Sequence, residues 1–388
     1  MRITYVTQTR FPTEKAHGNQ VAQVCHALAA LGHDVTLVAP TVGSATGKEA
    51  YAYYGLPQSF DIVHPGSFDA LRSRLVPGKL SFAVSMWSYR RVLKKYLRAH
   101  PAELLYARSH TVLPTLLKTG IPVVLELHAL PTVLRRRFVR LCNRCSLVVC
   151  LTSLQKKTLN DWGVRLGKIV VEADGVDLHR FAKLPPAAAA RKEWGVPGSA
   201  PVVGYAGSLI TRNTVEKGVG EFVAALAHLK QKGVKAVGLI AGGPDVWKHD
   251  YEMQAHASGL TKDDIRFLGH LPPMDIPRVI AAFDVCVYPA PASDNDYFLR
   301  DTSPLKLFEY LASGRPIACA DLPPLHDVVD PSLVRFCTPG DAQSLAGAIS
   351  WLLAHPDKAG EMGKKGKDVV KKHSWEERMK RVLLRVRP

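Results

Sequence analysis

Two acidic residues in the second half of the chain stand where a helix is predicted to begin. Residues 300–323 read RDTSPLKLFEYLASGRPIACADLP, and seven residues separate Asp301 from Glu309. A carboxylate on the helix, such as Glu309, can accept two hydrogen bonds from a vicinal diol such as a ribose. Asp301, on the preceding loop, could hold a sugar hydroxyl. Two solvated acids beside a capped helix are the alternative interpretation.

The residues between the two acids predict the start of the helix. Ser303 favours the N-cap and Pro304 favours the first helical position. The N–H groups of Leu305 and Lys306 would then point out of a helix end that carries partial positive charge and suits a phosphate. Ser-Pro caps are common, so this stretch needs support from elsewhere in the chain.

A glycine turn earlier in the chain is followed by two cations. Residues 205–222 read YAGSLITRNTVEKGVGEF, which predicts a strand, a turn, a loop with Arg212 and Lys217, and a helix. Two cations beside a strand-to-helix turn can clamp a diphosphate. An ordinary solvated loop explains this stretch equally well when it is taken alone.

Two more polar turns follow predicted strands in the first half. In VVLELHALP, residues 123–131, His128 follows an apolar strand and could donate a hydrogen bond to a sugar or phosphate oxygen. A lone histidine is more often structural. In VEADGVDLHRF, residues 171–181, Asp174 and Gly175 predict a tight turn that leaves a strand, and a plain turn is the alternative.

These stretches lie on two series of alternating strands and helices, the pattern of parallel sheets with helices on both faces. We expect an N-terminal Rossmann-like domain over 1–183, a C-terminal one over 184–373, and a final helix over 374–388. A linker rich in proline and alanine at 183–200 separates the two series. Ligands of such sheets bind outside the carboxyl ends of the strands, so the loops after strands are the expected site.

The composition is that of a soluble globular protein. Of the 388 residues, 47% are hydrophobic and 22% are charged, and no apolar run reaches the roughly 18 to 20 residues of a membrane span. The N-terminus lacks a signal-peptide core, so we expect a cytoplasmic protein. The seven cysteines indicate reduced core thiols, because Cys142-x-x-Cys145 has no second pair to complete a zinc site.

The positive charge is concentrated in the first half of the chain. Residues 1–190 contain 25 Lys/Arg and 11 Asp/Glu, a net charge of +14, whereas residues 191–388 contain 26 and 23, a net charge of +3. A basic half indicates an anionic partner, which could be nucleic acid, an anionic membrane or a phosphorylated substrate.

Two basic segments of the first half suit a membrane surface. Residues 72–98 hold eight Lys/Arg and no acid among aromatic and apolar residues, and residues 134–144 read LRRRFVRLCNR. A basic amphipathic helix binds anionic lipid with roughly 1 kcal/mol per cation near the surface. Peripheral attachment to the inner face of the cell membrane is therefore one hypothesis, and a solvated basic face is the other.

Six stretches, in this order, resemble the retaining GT-B glycosyltransferases of family four, which include bacterial mannosyl- and glucosyltransferases. They cover nearly the whole chain and read FPTEKAHGNQV…ALAALGHDVTLVAP, LELHALP, EADGVDLHRF, YAGSL…EKG, DTSPLKLFEYLASGRPIACADLP and SWEERMKRVL. The resemblance implies an α/β fold of two Rossmann-like domains that face a central cleft. It also implies that the C-terminal helix crosses back to the first domain.

The resemblance further implies a role for each matched residue. The implied catalytic residues are His128, Lys217 and Asp301. The implied donor contacts are those of the diphosphate with Arg212, Lys217, Ser303, Leu305 and Lys306, of the ribose with Glu309, and of the sugar with His128, Asp301 and Thr302, while Gly18 lies in the N-terminal loop. Three positions depart from the family pattern: Asp301 replaces the usual Glu, Gly207-Ser208 replaces a Gly-Arg, and Ala16-His17-Gly18 replaces a glycine pair.

The reaction implied by the resemblance moves a hexose from a nucleotide-diphosphate sugar to an acceptor hydroxyl, with retention, in cell-envelope glycan or glycolipid synthesis. The acceptor would be a carbohydrate or a lipid-linked or phosphorylated molecule. Charge on the leaving phosphate would be stabilised by Lys217, Arg212 and the helix end, and that phosphate would act as the base. No cofactor and no obligatory metal is expected, so the DxD-like Asp294-Asn295-Asp296 is interpreted as a solvated or mobile loop.

Three other functions remain open on the sequence alone. A nucleotide-sugar epimerase shares the two-domain layout and needs no acceptor. A phosphorylase of the same fold would need a lysine that carries pyridoxal phosphate, and the chain offers no persuasive site for one. A nucleic-acid-binding protein would fit the charge, but the chain contains no nucleic-acid-binding motif, so no nucleic-acid partner is expected.

Overall fold

The computed structural model describes residues 1–40, 47–68, 70, 78–196, 200–211, 214–303 and 305–386. They form two compact units: the first is Met1–Ala173 with Trp375–Pro388, and the second is Asp174–Ser374. Each unit contains a parallel β-sheet with helices between its strands. The α/β class predicted from the alternating pattern is thereby confirmed for both halves of the chain.

The first unit is built on a seven-stranded parallel sheet in the order β3-β2-β1-β4-β5-β6-β7. Its strands are β1 (Arg2–Val6), β2 (Asp34–Val38), β3 (Asp61–Val63), β4 (Leu104–Ala107), β5 (Val123–Leu127), β6 (Leu147–Cys150) and β7 (Ile169–Val171). Residues of β4, β5 and β6 are buried throughout, as expected for strands covered on both faces.

The helices of the first unit connect successive strands, and the C-terminal helix joins them. They are α1 (Ala16–Ala30), α2 (Gly47–Tyr54), α3 (Gly78–Ala99), α4 (Leu113–Leu116), α5 (Arg135–Cys142), α6 (Ser153–Asp161) and the C-terminal helix (Trp375–Arg385). Helix α1 begins earlier than its apolar periodicity predicts: residues 16–19, expected in the loop, form its first turn.

Apolar residues from the sheet and from helix α3 form the core of the first unit. Leu125 and Val148 of the central strands pack in one cluster with Tyr89 and Leu93 of α3 and Phe138 of α5. All seven cysteines of the chain are buried free thiols, as the apolar sequence around them predicts. Burial raises the pKa of the Cys145 thiol to about 12, which is typical of an inert core cysteine.

The second unit is built on a six-stranded parallel sheet and a small antiparallel hairpin. The sheet has the order β12-β11-β8-β13-β14-β15, and the hairpin pairs β9 with β10. The strands are β8 (Val202–Ala206), β9 (Ile210–Thr211), β10 (Val215–Glu216), β11 (Val237–Ala241), β12 (Ile265–Gly269), β13 (Val285–Tyr288), β14 (Ile317–Ala320) and β15 (Arg335–Cys337).

The helices of the second unit follow the predicted alternation closely. They are α7 (Ala187–Glu193), α8 (Val219–Gln231), α9 (Asp245–Ala257), α10 (Ile276–Ala281), α11 (Leu305–Ser313), α12 (Ala342–Ala354) and α13 (Pro356–Val369). Helix α9 begins four residues before its predicted start at 249. Helix α13 and strand β15 were not predicted.

The order of the strands identifies one loop cluster in the second sheet. Strand β8 lies between β11 and β13, so the connections leaving β8 and β13 depart from the sheet in opposite directions. Ligands of open α/β sheets bind at such a switch point, beside the carboxyl ends of the strands. The loops after β8 and β13 carry Lys217 and Asp301.

The described helices contain no apolar segment long enough to cross a bilayer.

Candidate functional site

Lys217 is held at the end of the hairpin that follows β8. Its backbone N–H donates to the carbonyl of Leu209 at 3.2 Å. Gly218 follows with a φ of 80° and begins helix α8. A Cβ on Gly218 would lie only 2.5 Å from the backbone nitrogen of Ala290, just after β13. Glycine is therefore required at position 218 to bring Lys217 close to the β13 loop.

The Lys217 ammonium lies against Tyr297 of the β13 loop. Its Nζ is 3.6 Å from the centre of the Tyr297 ring and donates a hydrogen bond to the Tyr297 hydroxyl. Tyr297 begins a π-helical turn, Tyr297–Asp301, of the kind often found at functional sites. The sequence analysis did not single out Tyr297, because an aromatic residue in a polar loop carries no specific signal.

Lys306 is a second cation that rests on aromatic rings. It lies on the first turn of α11, with its Nζ 4.0 Å from the ring centre of Tyr205 and 4.7 Å from that of Tyr288. Burial lowers the pKa of the Lys306 ammonium well below its usual value, and the neighbouring charge of Lys217 lowers it further. A cation that is desolvated in this way gains from the arrival of an anion.

Asp301 is buried in an ion pair with its neighbour Arg300. Arg300 Nε lies 2.8 Å from Asp301 Oδ1, and Arg300 Nη2 lies 3.1 Å from Oδ2. Arg300 also pairs with Asp296 at 3.0 Å, so one acid of the Asp294-Asn295-Asp296 motif takes part in this network. Only 3% of Asp301 is exposed, which is unlike the solvated acid of the alternative interpretation.

Glu309 lies one turn beyond Lys306 on α11 and is partly buried. Burial raises the pKa of Glu309 to about 7, although the charges of Arg180 and Lys306 oppose the rise. Arg180 is itself held by Asp177, with Nε 3.0 Å from the carboxylate. Glu309 thus has two cations near it, and its carboxyl group titrates near physiological pH.

The residues around the start of α11 make a local network. The Ser303 hydroxyl accepts a hydrogen bond from the Asp174 N–H at 3.0 Å, and the Leu305 N–H donates to the Ser303 carbonyl at 3.2 Å. Thr302 is 1% exposed. Ser303 therefore ties the Asp174 turn to the start of α11. A ligand at this helix end would share or replace the contact that Leu305 makes.

The structure thus brings several predicted site residues of the second unit to one edge of its sheet. Lys217 follows the hairpin after β8, and Asp301 lies in the loop after β13. Lys306 and Glu309 lie on α11, the helix that follows this loop. Arg212, which was predicted to contact the diphosphate, and Pro304, which was predicted at the first helical position, lie outside the described residues. Two cations and two carboxylates in these neighbouring loops form an arrangement that can bind a diphosphate and hydroxyl groups together.

His128 and Gly18 belong to the first unit. His128 follows β5, and its Nε2 lies 2.8 Å from Oε1 of Glu126, which is fully buried. Gly18 lies in the first turn of α1, where a Cβ would be 2.2 Å from the Tyr54 hydroxyl and 2.7 Å from Thr13. Close packing under the loop after β1 accounts for the glycine at position 18.

Other charged residues of the first unit surround these positions and were missed in the sequence analysis. Arg108 follows β4 and donates from Nε to Gln20 at 2.8 Å. Burial lowers the pKa of His17 to about 4, and the charge of Arg108 contributes to this. Glu126 had a detectable signal, because a charged residue interrupts the apolar strand VVLEL. Arg378, whose Nη1 lies 3.1 Å from Oε2 of Glu126, had none.

Two family models match the chain, one in each half. Residues 17–180 match the model described as "Glycosyltransferase Family 4". Residues 200–355 match the model described as "Glycosyl transferases group 1". The two matches contain every predicted site residue of the two units, and they lie in the same order as the resemblance described above.

Curated relatives and solved structures agree with these matches. The chain is 31% identical to a 2-deoxystreptamine glucosyltransferase of Streptomyces kanamyceticus over 53% of its own length and 51% of that protein. It is 25% identical to a GDP-mannose-dependent alpha-mannosyltransferase of Corynebacterium glutamicum, over 74% and 67%. It thus spans about half the length of the first of these relatives.

The fold is also that of a solved protein. The crystal structure of Anabaena HepE in complex with UDP and glucose superposes with a TM-score of 0.73 at 19% identity, and 99% of each chain is covered. At this identity the likeness concerns the fold alone, which is the GT-B fold with its two α/β domains.

Proposed function

Because this chain belongs to the group 1 glycosyltransferases, we propose that it transfers a hexose from a nucleotide-diphosphate sugar to an acceptor hydroxyl with retention. The observation that carries the proposal is the cation pair Lys217 and Lys306 at the switch point of the second sheet. The glucosyl- and mannosyltransferase relatives and the UDP bound to HepE support the choice of donor.

The two lysines would bind the donor diphosphate and stabilise its departure. When the bond to the anomeric carbon breaks, negative charge grows on the leaving phosphate oxygens. Lys217 and Lys306 already lie against the aromatic rings of Tyr297 and Tyr205, so their charges are in place before the reaction begins. The diphosphate in turn would favour the protonated form of Lys306, whose pKa is lowered by burial and by the neighbouring charge of Lys217.

The two acids would bind hydroxyl groups on either side of the diphosphate. Glu309 would accept hydrogen bonds from the ribose diol, and Asp301, with Thr302 beside it, would hold hydroxyls of the sugar. Arg300 holds both oxygens of Asp301, so this carboxylate is fixed in place and is poorly suited to act as a nucleophile. The proposal accordingly assigns the role of base to the departing phosphate.

His128 of the first unit would contact the donor sugar, and the acceptor would bind to this unit as a carbohydrate, lipid-linked or phosphorylated molecule. Synthesis of a cell-envelope glycan or glycolipid is the proposed context. No metal is assigned a role: transfer is expected to persist in EDTA. Loss of transfer in EDTA and its return with manganese would contradict this part of the proposal.

The test begins with the donor base. A thermal-shift panel of UDP, GDP, ADP and RNA is expected to show one nucleoside diphosphate that stabilises the protein and no stabilisation by RNA. Transfer from sugars of that nucleotide is then measured for purified Lys217→Ala and Glu309→Ala. We expect each to lose at least about 100-fold, the scale of removing one oxyanion-type donor. A loss under threefold in folded variants would contradict the assignment.

We also propose that one face of helix α3 lies on an anionic membrane. At 3.6 residues per turn, Leu80, Trp87, Arg91, Lys94 and Arg98 share one side of this helix, and all five are exposed. Trp87 is 64% exposed and Leu80 is 57% exposed. The apolar end of the face would enter the lipid interface while its cationic end meets the headgroups. Residues 72–77 of the predicted basic segment lie outside the described residues.

Vesicle binding separates this proposal from a solvated face. Co-sedimentation with vesicles containing anionic phospholipid is expected at low salt and lost at high salt. Trp87→Ser together with Leu80→Ser should weaken it, while Met253→Ser, an exposed apolar residue of the second unit, serves as the matched control. Absence of binding at low salt, or equal loss in the control, would remove the hypothesis.

A further inference from the structure

A buried carboxylate lies near the end of the central strand β5. Glu126 is fully buried, and four side chains donate to it. Gln20 Nε2 and His128 Nε2 lie 2.7 and 2.8 Å from Oε1. Arg378 Nη1 lies 3.1 Å from Oε2, which also accepts from the Tyr106 hydroxyl. These donors match the four acceptor positions of a carboxylate.

Arg378 brings the C-terminal helix into this cluster. It is fully buried, and its guanidinium donates to the carbonyl of Ala173 at 2.7 Å and to that of Glu172 at 3.2 Å. One planar group thus links the C-terminal helix to the end of the first unit and to the Glu126 carboxylate. Its orientation is fixed by three acceptors.

A buried ion pair is an energetically unfavourable means of attaching the C-terminal helix. Burying two charges costs free energy that their attraction often fails to recover, and an apolar pair of similar size commonly stabilises a fold as well or better. Burial by itself would raise the pKa of Glu126, but Arg378 and the hydrogen bond from His128 outweigh it and hold the pKa well below its usual value. Glu126 is therefore a carboxylate, which can only accept hydrogen bonds.

That constraint determines what His128 can do. Because Glu126 accepts, His128 Nε2 must carry the proton of their contact. Nδ1 of the neutral imidazole is then an acceptor, so it can receive a hydrogen bond from a sugar hydroxyl in a ring plane that Glu126 has fixed. It can donate to a sugar or phosphate oxygen only when the ring is an imidazolium. The interaction resembles in kind the carboxylate–histidine contacts that orient metal-bound imidazoles.

We propose that Glu126 and Arg378 are positioning residues, through which the C-terminal helix fixes the ring orientation and the proton-bearing nitrogen of His128. The proposal rests on the proposed function in one respect, the contact of His128 with the donor sugar. Docking of the C-terminal helix then becomes a condition for an active His128, and the helix has a role in the site besides stabilising the first unit.

The first experiment needs no substrate and so stands apart from the proposed function. The full-length protein, labelled with ¹⁵N in its histidines, is expected to show a ring N–H of His128 on Nε2 that exchanges slowly with water. Its resonance is assigned with His128→Gln. In the double variant Glu126→Gln/Arg378→Met, which removes both charges together, this proton should exchange with water too fast to be observed.

The control variant lies on the same helix. Arg381 pairs with Glu172 at 2.8 Å, so Arg381→Gln weakens another contact between the C-terminal helix and the rest of the first unit while leaving Glu126 intact. It should keep the protected His128 proton. An unprotected His128 N–H in the wild-type protein, or its loss in Arg381→Gln as well, would overturn the proposal.

A second experiment uses transfer activity. The double variant is expected to lower kcat by about 10- to 100-fold, the usual scale for a residue that orients a reacting group, with the acceptor KM changed less than threefold. In a His128→Ala background the same two substitutions should cost less than about threefold, because no imidazole remains to be oriented. Equal losses in both backgrounds would show a purely structural role and overturn the proposal.

The two experiments separate the possible failures. A protected His128 proton that depends on Glu126, together with a His128→Ala variant of full activity, would leave the positioning intact and contradict the role of His128 in the proposed function. If the His128 ring N–H of the wild-type protein exchanged fast, while His128→Ala lost most of the transfer activity, only the positioning proposal would be contradicted.

Discussion

The two units differ in the groups that surround a cation: a carboxylate in the first and aromatic rings in the second. In the first, the guanidinium of Arg378 meets the carboxylate of Glu126 at 3.1 Å, and other donors complete the carboxylate. In the second, the ammonium of Lys306 lies over the rings of Tyr205 and Tyr288. A cation–π contact contributes about 0.5 to 2 kcal/mol. This is far less than the hydration free energy that an ammonium group loses when it is buried.

The difference indicates what each cluster is for. The Glu126 cluster contains matched charges and is complete without a ligand, so it is suited to hold other groups in place. The Lys306 cluster brings the charges of Lys306 and Lys217 together, while Glu309 has a pKa raised to about 7, so the cluster gains free energy when an anion arrives. Substitutions should therefore act on stability in the first unit and on ligand affinity in the second.

The largest effect is expected from breaking the matched pair on one side. Arg378→Met leaves the buried carboxylate of Glu126 without its cation and should destabilise the first unit by about 3 to 5 kcal/mol. Hydrogen exchange of the β5 amides measures this directly. Adding Glu126→Gln should recover part of the loss. If the double variant were as unstable as the single one, the charge match would not be what matters.

Lys306→Met should show the opposite behaviour. Removing a desolvated cation is expected to leave the stability of the second unit unchanged or slightly raised, while the affinity for the nucleoside diphosphate falls by about 10- to 100-fold, since a hydrogen bond to a charged group contributes roughly 1.5 to 3 kcal/mol. Calorimetric titration with the nucleotide found in the thermal-shift panel measures the affinity.

The surface residue Lys230, which pairs with Asp264 at 2.7 Å, provides the control for Lys306. Lys230→Met should leave nucleotide affinity unchanged and cost at most about 1 kcal/mol of stability. A Lys306→Met variant that binds the nucleotide as tightly as the wild type would contradict the contrast between the two units.

A smaller effect is expected from the pH dependence of Glu309. Burial raises its pKa from 4.5 to about 7 in the folded protein, so folding favours the protonated form. That contribution is fully present below pH 4.5 and is lost as the pH rises through 7. Glu309→Gln should therefore be no more stable than the wild type near pH 4.5 but more stable at pH 8, by about 1 to 2 kcal/mol given the partial exposure of the side chain.

Thermal unfolding at the two pH values measures the Glu309 effect. A difference of 1 to 2 kcal/mol corresponds to about 2 to 8 °C for a unit of this size. A constant difference between variant and wild type at both pH values would show that Glu309 does not titrate in this interval.

The smallest effect is expected for Arg381→Gln, which removes a partly exposed ion pair on the C-terminal helix. Such pairs contribute about 0 to 1 kcal/mol, so the β5 amides should exchange almost as in the wild type. A loss as large as that of Arg378→Met would mean that the attachment of the helix, rather than the buried charge pair, controls the first unit.

Much of the second unit's candidate site follows from short stretches of sequence. Strand β8 with its glycine turn, Lys217 before α8, and Asp301 and Glu309 around the start of α11 were all placed correctly along the chain. Their neighbours were not predicted. Nothing local indicates that Tyr297 would meet Lys217 or that Arg300 would hold Asp301 from the adjacent position.

The first unit shows more clearly which contacts a local sequence pattern does not predict. His128 was identified by its place after a strand, and Glu126 stands out only as a charge within an apolar strand. Arg378, 252 positions away from Glu126, looks like one of several basic residues on an amphipathic helix. Gly18 was predicted to lie near the donor or acceptor, and that remains a prediction. The structure adds that a Cβ at this position would meet Tyr54 and Thr13, which no local pattern indicated.

The sequence by itself determined the two parallel sheets, the loops that follow their strands and the order of the polar residues on those loops. These depend on apolar periodicity, glycine turns and helix ends, which act over a few neighbouring residues. Only the tertiary structure decided which charges are matched and which rest on aromatic rings. That outcome depends on contacts between residues far apart in the chain and on the removal of water around them, which no local pattern specifies.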